Sequence, residues 1–308
     1  MGSVHGHRHG PGRGPAGHVG GRYRSRLALA FVLTAAFFLV ELVAGLLSGS
    51  LALVADAGHM ATDVVALGAS VVATRIAVRR DTTGRRSFGS YRAEVFASGL
   101  AVLLMLGVGV FVIAEAVRRI GADPEIASTT MLVVGAVGLV VNLLALTLLR
   151  GGAAESLNVR GAYLEVLGDA VGSVGVLIAG ALIAWTGAAL WDTVVALAIG
   201  AFVLVRAVGL GRQVLAVLGQ HVPAGMDLAT VEADLAALRG VDDVHDLHIW
   251  TLTSGMNVAT AHLVTCEDAD AHAVLDAARA TLQDRHGIAH ATLQVEPNTH
   301  EGCEEVGW

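Results

Sequence analysis

Ser50-Leu51-Ala52-Leu53-Val54-Ala55-Asp56-Ala57-Gly58-His59-Met60-Ala61-Thr62-Asp63 opens a run that stays apolar to Ala73, and its reading decides the fold. Leu51 to Ala73 is long enough to cross a bilayer, which takes about 20 mostly apolar residues. Yet it carries Asp56, His59 and Asp63, and a charge inside a membrane is costly enough to mark function. Five further stretches share its length and character: Leu27 to Leu47, Ala93 to Val117, Met131 to Leu149, Gly161 to Ala184 and Leu190 to Val208. Six spans predict an all-α membrane domain with both of its ends on one side.

The composition agrees. Of 308 residues 54% are hydrophobic and only 15% charged, a balance suited to lipid rather than to a soluble surface. Residues 1 to 220 carry 17 Arg against 12 Asp and Glu, whereas residues 221 to 308 carry 3 Arg against 15 acids. An acidic segment of this kind attracts cations and repels nucleic acid. The two cysteines, Cys266 and Cys303, do not make a disulfide framework.

Arginine placement sets the orientation, because positive charge is retained in short cytoplasmic segments. Fifteen arginines fall in the tail, in the loop after the second span, and at Arg150, Arg160, Arg206 and Arg212 on the same side. The opposite side has only Arg118 and Arg119, with Trp185 and Trp191 flanking its last turn. Both termini are therefore expected in the cytoplasm, and the protein in the inner (plasma) membrane. Residues 1–26 read as a His-, Gly- and Arg-rich cytoplasmic tail; Met1 to Gly21 has no apolar core and is expected to be neither a signal peptide nor a buried helix.

Residues 27–212 form the expected transport domain, and residues 213–297 change to short amphipathic units. Asp227 caps a helix through Leu238 that Gly240 stops. Val244 to Leu252 and Asn257 to Thr265 read as strands around a Thr253-Ser254-Gly255 turn. Asp268 or Asp270 opens a second helix ending at His286-Gly287, and His290 to Glu296 is the last strand before Pro297. Three strands covered by two helices predict a small cytoplasmic α+β domain of ferredoxin-like character, followed by a tail, residues 298–308.

Spacing sorts the intramembrane charges. His59 and Asp63 are four apart, as are Glu165 and Asp169, so each pair shares one helix face. Two such helices packed face to face converge one imidazole and three carboxylates, a four-ligand site suited to zinc. Gly168, Gly172 and Gly175 leave a flat surface for close approach. Asp56, three residues before His59, is a candidate supporting partner. Glu41, Glu94 and Glu115 sit near span ends and are expected to face the interface. No His-Glu-x-x-His helix occurs, nor a Ser or Cys nucleophile beside a base, so the chain reads as a transporter rather than an enzyme, with no catalytic cofactor.

Glu41 to Ala73, with its Asp56-Ala57-Gly58-His59-Met60-Ala61-Thr62-Asp63 core, resembles the cation diffusion facilitator family of metal/proton antiporters. Tyr91-Arg92-Ala93-Glu94-Val95, Gly161-Ala162-Tyr163-Leu164 leading into Gly168-Asp169, and His245-Asp246-Leu247-His248-Ile249-Trp250 are similar to its signatures, in the same order. The resemblance implies a homodimer of six-span protomers that exchanges Zn2+ or a similar divalent ion for protons by alternating access. Two positions depart from the pattern: Glu165 stands where many zinc-transporting members have His, and Ala101 where Asn is frequent. A third carboxylate makes the site harder and more anionic, so exclusive zinc selectivity is not expected, and cadmium, cobalt and manganese stay open as substrates.

The resemblance also implies that His245, His262, His272 and Glu296 bind zinc in the cytoplasmic domain, with Gln294 where some relatives have another His. The tail histidines His5, His7, His9 and His18 and the terminal group His300, Cys303 and Glu304 are further candidate ligands.

Overall fold

The structure is a computed structural model, and it describes residues 24–77, 85–122, 124–153, 157–253 and 255–298. The histidines at 5, 7, 9, 18 and 300, Cys303 and Glu304 lie outside the described residues. Six long helices come first: α1 (Arg24–Ser48), α2 (Leu51–Ala77), α3 (Ala93–Arg119), α4 (Ser128–Ala153), α5 (Leu157–Thr186) and α6 (Leu190–Leu218). Each is long and apolar enough to cross a membrane. The helices overrun the predicted spans because the polar residues at their ends continue the backbone hydrogen-bond ladder into the aqueous boundary, where no apolar signal marks them.

Two compact units divide the chain: Met1–Val64 with Met105–Leu204, and Val65–Leu104 with Val205–Trp308. In the first, α4 packs along both α1 and α5. Leu51, Leu53, Met60, Val112, Met131 and Val176 form its core, while Leu46, Val110, Phe111 and Val171 are exposed as lipid-facing side chains would be. Without a hydrophobic force between helices in lipid, small residues permit the contact. A Cβ at Gly138 would lie 2.6 Å from the Phe37 ring, so α1 and α4 meet there only because α4 has no side chain at that point.

The second unit contains α7 (Leu228–Ala236), β1 (Val241–Thr253), β2 (Met256–Thr265), α8 (Ala271–His286) and β3 (His290–Pro297). The sheet runs β1-β2-β3, with β1 antiparallel and β3 parallel to β2. A parallel neighbour needs a crossover, and α8 supplies it. Leu235, Val244, Leu263, Val274, Leu282 and Ile288 close the core between helices and sheet.

Capping explains the helix limits. Asp270 accepts from the His272 and Ala273 amides at 2.9 and 3.3 Å, and Gly287 ends α8 at φ 67. Asp227 stands at the α7 N-cap position without a side-chain cap bond. Instead the Thr230 hydroxyl donates to its carboxylate at 2.7 Å. The helix stops at Ala236, before Leu238, and Gly240 (φ 91) turns the chain into β1.

Candidate metal centres

On α2, His59 and Asp63 stand one turn apart, with Nε2 and Oδ2 separated by 3.8 Å. Asp169 reaches the same imidazole nitrogen from α5, its Oδ1 at 4.0 Å. The ligand atoms of these three residues all lie within 4.8 Å of one another. Tetrahedral zinc with bonds of roughly 2.1 Å holds its ligands about 3.4 Å apart, so these atoms, up to 4.8 Å apart, draw together by at most about 1.4 Å to close on an ion. His59 and Asp169 are buried and Asp63 is half-buried. The Phe202 ring on α6 meets the imidazole edge-on at 5.8 Å, and the Thr62 hydroxyl donates to the His59 carbonyl at 2.7 Å.

Glu165, the fourth predicted ligand, is half-buried one turn before Asp169, and its carboxylate is not among these ligand atoms. Sharing a helix face with Asp169 did not bring it to the same point.

Asp56 is buried one turn before His59, and a Cβ at Gly172 of α5 would overlap its carboxylate. Gly172 thus does admit a neighbouring helix, whereas a Cβ at Gly175 would meet Val195 at an ordinary contact distance of 3.4 Å. Gly168, expected to do likewise, has nothing within 4 Å of where its Cβ would be. Glu41 overturns its expectation: it is wholly buried inside α1 and faces Asp56, and neither of its oxygens makes a well-formed hydrogen bond.

Glu94 and Glu115 are half-buried, and each has a specific partner. Thr253 at the end of β1 donates to Glu94 at 2.8 Å, and Arg119 pairs with Glu115 at 3.3 Å.

Asp192 was not singled out from the sequence. Wholly buried at the start of α6, it accepts from Ser50 Oγ at 2.6 Å and from the Leu51 and Ala52 amides at 2.7 and 3.1 Å. It therefore caps α2 from another helix. Arg119 lies 3.8 Å away and also donates to the Gly49 carbonyl at 2.7 Å. The only sequence signal was an acid in the first turn of a predicted span.

A second group forms on the sheet. His245 and His262 are direct cross-strand partners, and His262 pairs with Gln294 on β3. Period-two alternation puts Glu296 on that same face. Glu296 Oε1 lies 2.9 Å from His262 Nδ1, and its Oε2 lies 3.9 Å from His245 Nε2. Gln294 donates to Glu296 at 2.7 Å and orients the carboxylate.

His245, His262 and Glu296 again offer three ligand atoms within 4.8 Å of one another. His272 does not join them: it is 83% exposed on α8, 3.7 Å from Asp276. The register shifts between His245 and His248, and Asp246 in that bulge has φ 52. Its carboxylate consequently sits 2.9 Å from His248 and 3.9 Å from His262, a neighbour of the centre that the strand pattern could not reveal.

Comparison with known proteins separates the six long helices from the sheet-bearing domain. Residues 27–218 match the family described as cation efflux transmembrane domain, and residues 223–298 the cation efflux protein, cytoplasmic domain. The cation efflux system protein CzcD of Alcaligenes sp. is 43% identical over 280 residues, covering 91% of this chain and 88% of the relative. The cadmium, cobalt and zinc/H(+)-K(+) antiporter of Bacillus velezensis is 32% identical, covering 92% of this chain and 91% of the relative. The solved metal-bound C-terminal domain of the CzcD transporter from Cuprividus metallidurans is 42% identical and covers 23% of this chain and 99% of that domain, with a TM-score of 0.22.

Proposed function

The chain belongs to the cation efflux family, the cation diffusion facilitators, and from that premise we propose that this multi-pass membrane protein exports zinc, with cadmium and cobalt as further substrates, in exchange for protons. The observation that carries the reading is the convergence of His59 and Asp63 from α2 with Asp169 from α5 within apolar spans. One nitrogen and two carboxylates match the ligand preferences of zinc and its neighbours. Residues 27–212 carry transport in this reading, and residues 213–297 bind metal in the cytoplasm.

The steps follow from ligand chemistry. Zinc binding displaces protons from His59, Asp63 and Asp169, because each coordinates only when deprotonated. Glu165, one turn from Asp169, is the fourth ligand once a small turn of α5 brings it inward. The loaded domain then opens to the other side, where protons return to the same groups and release the ion. Exchange needs no catalytic cofactor and no bond making in the substrate, so the protein is a transporter and not an enzyme. Arginine placement supports both termini in the cytoplasm and insertion in the inner (plasma) membrane.

The cytoplasmic domain works as a metal-responsive dimer contact. Its match to the family's cytoplasmic domain supports a homodimer, and His245, His262 and Glu296 are the ligands one protomer supplies. His272, exposed on α8, contributes where dimer assembly or metal brings it to the sheet. The partners are then membrane lipid, a second copy, divalent metal and protons, with no nucleic acid. The deciding experiment is zinc flux in proteoliposomes under an imposed pH gradient: transport in both directions of the gradient alike, without coupled proton movement, overturns the exchange.

A further inference from the structure

Where α3 begins and α6 ends, the second unit holds a cavity of about 680 Å³ that neither metal centre uses. Ligand sites commonly span about 300–1,000 Å³. The segment leading into α3 forms most of its wall, completed by Gln220 just past α6 and by Trp250 and Leu252 of β1. Arg85, Arg86 and Arg92 line it, and none of its lining residues, among those described, is acidic.

The segment is shaped rather than extended. Gly89 turns it at φ 67, Arg86 donates to Ser90 Oγ at 2.8 Å, and the Phe88 ring meets His290 edge-on at 5.8 Å. Guanidinium groups so placed are suited to the paired oxygens of a phosphate. The rest of the wall is of another kind. Tyr91, Phe96 and Trp250 are aromatic, and Phe96, in the first turn of a membrane-spanning helix, is 63% exposed.

Aromatic side chains at a span end mark the depth of the lipid headgroups, and arginines beside a span attract anionic lipid. We propose that this cavity binds the headgroup of an anionic phospholipid, with the phosphate on Arg85, Arg86 and Arg92 and the lipid's apolar part against Tyr91, Phe96 and Trp250. A soluble phosphate has the same chemistry for the arginines but leaves the aromatic wall unused, which is why the lipid is favoured. The inference goes beyond the transport reading and does not depend on which metal is carried.

The test uses the full chain in detergent, with bound lipid counted by native mass spectrometry after addition of phosphatidylglycerol or phosphatidylcholine, and with inorganic phosphate as competitor. Phosphatidylglycerol should be retained selectively. Its retention should weaken by about fivefold for each arginine replaced in Arg85→Gln, Arg86→Gln, Arg92→Gln combinations, and Arg92→Gln alone gives the same reading if the triple variant does not fold. Equal retention of phosphatidylcholine, or undiminished retention of phosphatidylglycerol by Arg92→Gln and the triple variant, overturns the proposal. Full displacement of phosphatidylglycerol by equimolar inorganic phosphate also overturns it, replacing the lipid with a soluble anion.

Discussion

Asp192 and Ser50, 142 residues apart, are joined by a 2.6 Å hydrogen bond at the N-terminus of α2. With the Leu51 and Ala52 amides on the same carboxylate, the positive end of α2 is neutralised by a buried acid from α6, which Arg119 balances in turn. The helix that carries His59 and Asp63 is therefore held at its end by a residue from another span.

Removing that anchor should loosen the protein before it touches the metal. Asp192→Ala leaves the buried helix amides without their acceptor and removes one of the two carboxylates beside Arg119, and should cost about 2–4 kcal/mol. Thermal unfolding in detergent measures it. A midpoint equal to wild type would mean that the cap contributes nothing.

Asp63→Ala and Asp169→Ala should each abolish zinc, cadmium and cobalt uptake in proteoliposomes, since each removes one of three converging ligands. Wild-type rates in both would disprove the shared intramembrane site. Glu165→His should keep activity and narrow transport towards zinc, as a nitrogen ligand replaces a hard oxygen. If uptake of zinc, cadmium, cobalt and manganese keeps its wild-type ratios, Glu165 is not a ligand.

The apparent zinc affinity should fall as the medium is acidified. The ligands bind metal only after losing their protons, so lowering pH adds a competitor and raising it removes one. Zinc titrations across a pH series read this directly, and a flat profile would separate metal binding from proton movement.

Gly172→Ala forces a methyl group into the Asp56 carboxylate and should displace α2 from α5, with an overpacking cost of about 1–3 kcal/mol and weaker zinc binding. Gly168→Ala, four residues away, meets nothing within 4 Å and should behave as wild type. Equal behaviour of the two variants would contradict the helix contact.

On the sheet, His245→Ala with His262→Ala should remove the zinc binding that persists in an Asp169→Ala background, because the pair supplies two of three ligand atoms. Calorimetric titration of the full chain decides: an unchanged stoichiometry places the second centre elsewhere.

The six helices, the order of helices and strands in the C-terminal domain, and the pairing of His59 with Asp63 were legible in the sequence, since each follows from local periodicity. A span is a matter of composition over one segment, and residues four apart share a helix face whatever surrounds them. How the helices turn towards one another was not legible. Only the packed structure turned Asp169 towards His59 and left Glu165 outside, buried Glu41 against Asp56, and brought Asp192 to the end of α2.

The sheet divides in the same way: alternation placed His245 and His262 on strands, but register brought them opposite each other. The bulge at Asp246 and the position of α8, which leaves His272 exposed, arose only on folding. Helix rotation, strand register and bulges are decided by contacts between segments far apart in the chain, such as Gly172 against Asp56. One segment's own residues carry no record of the surface that will meet them.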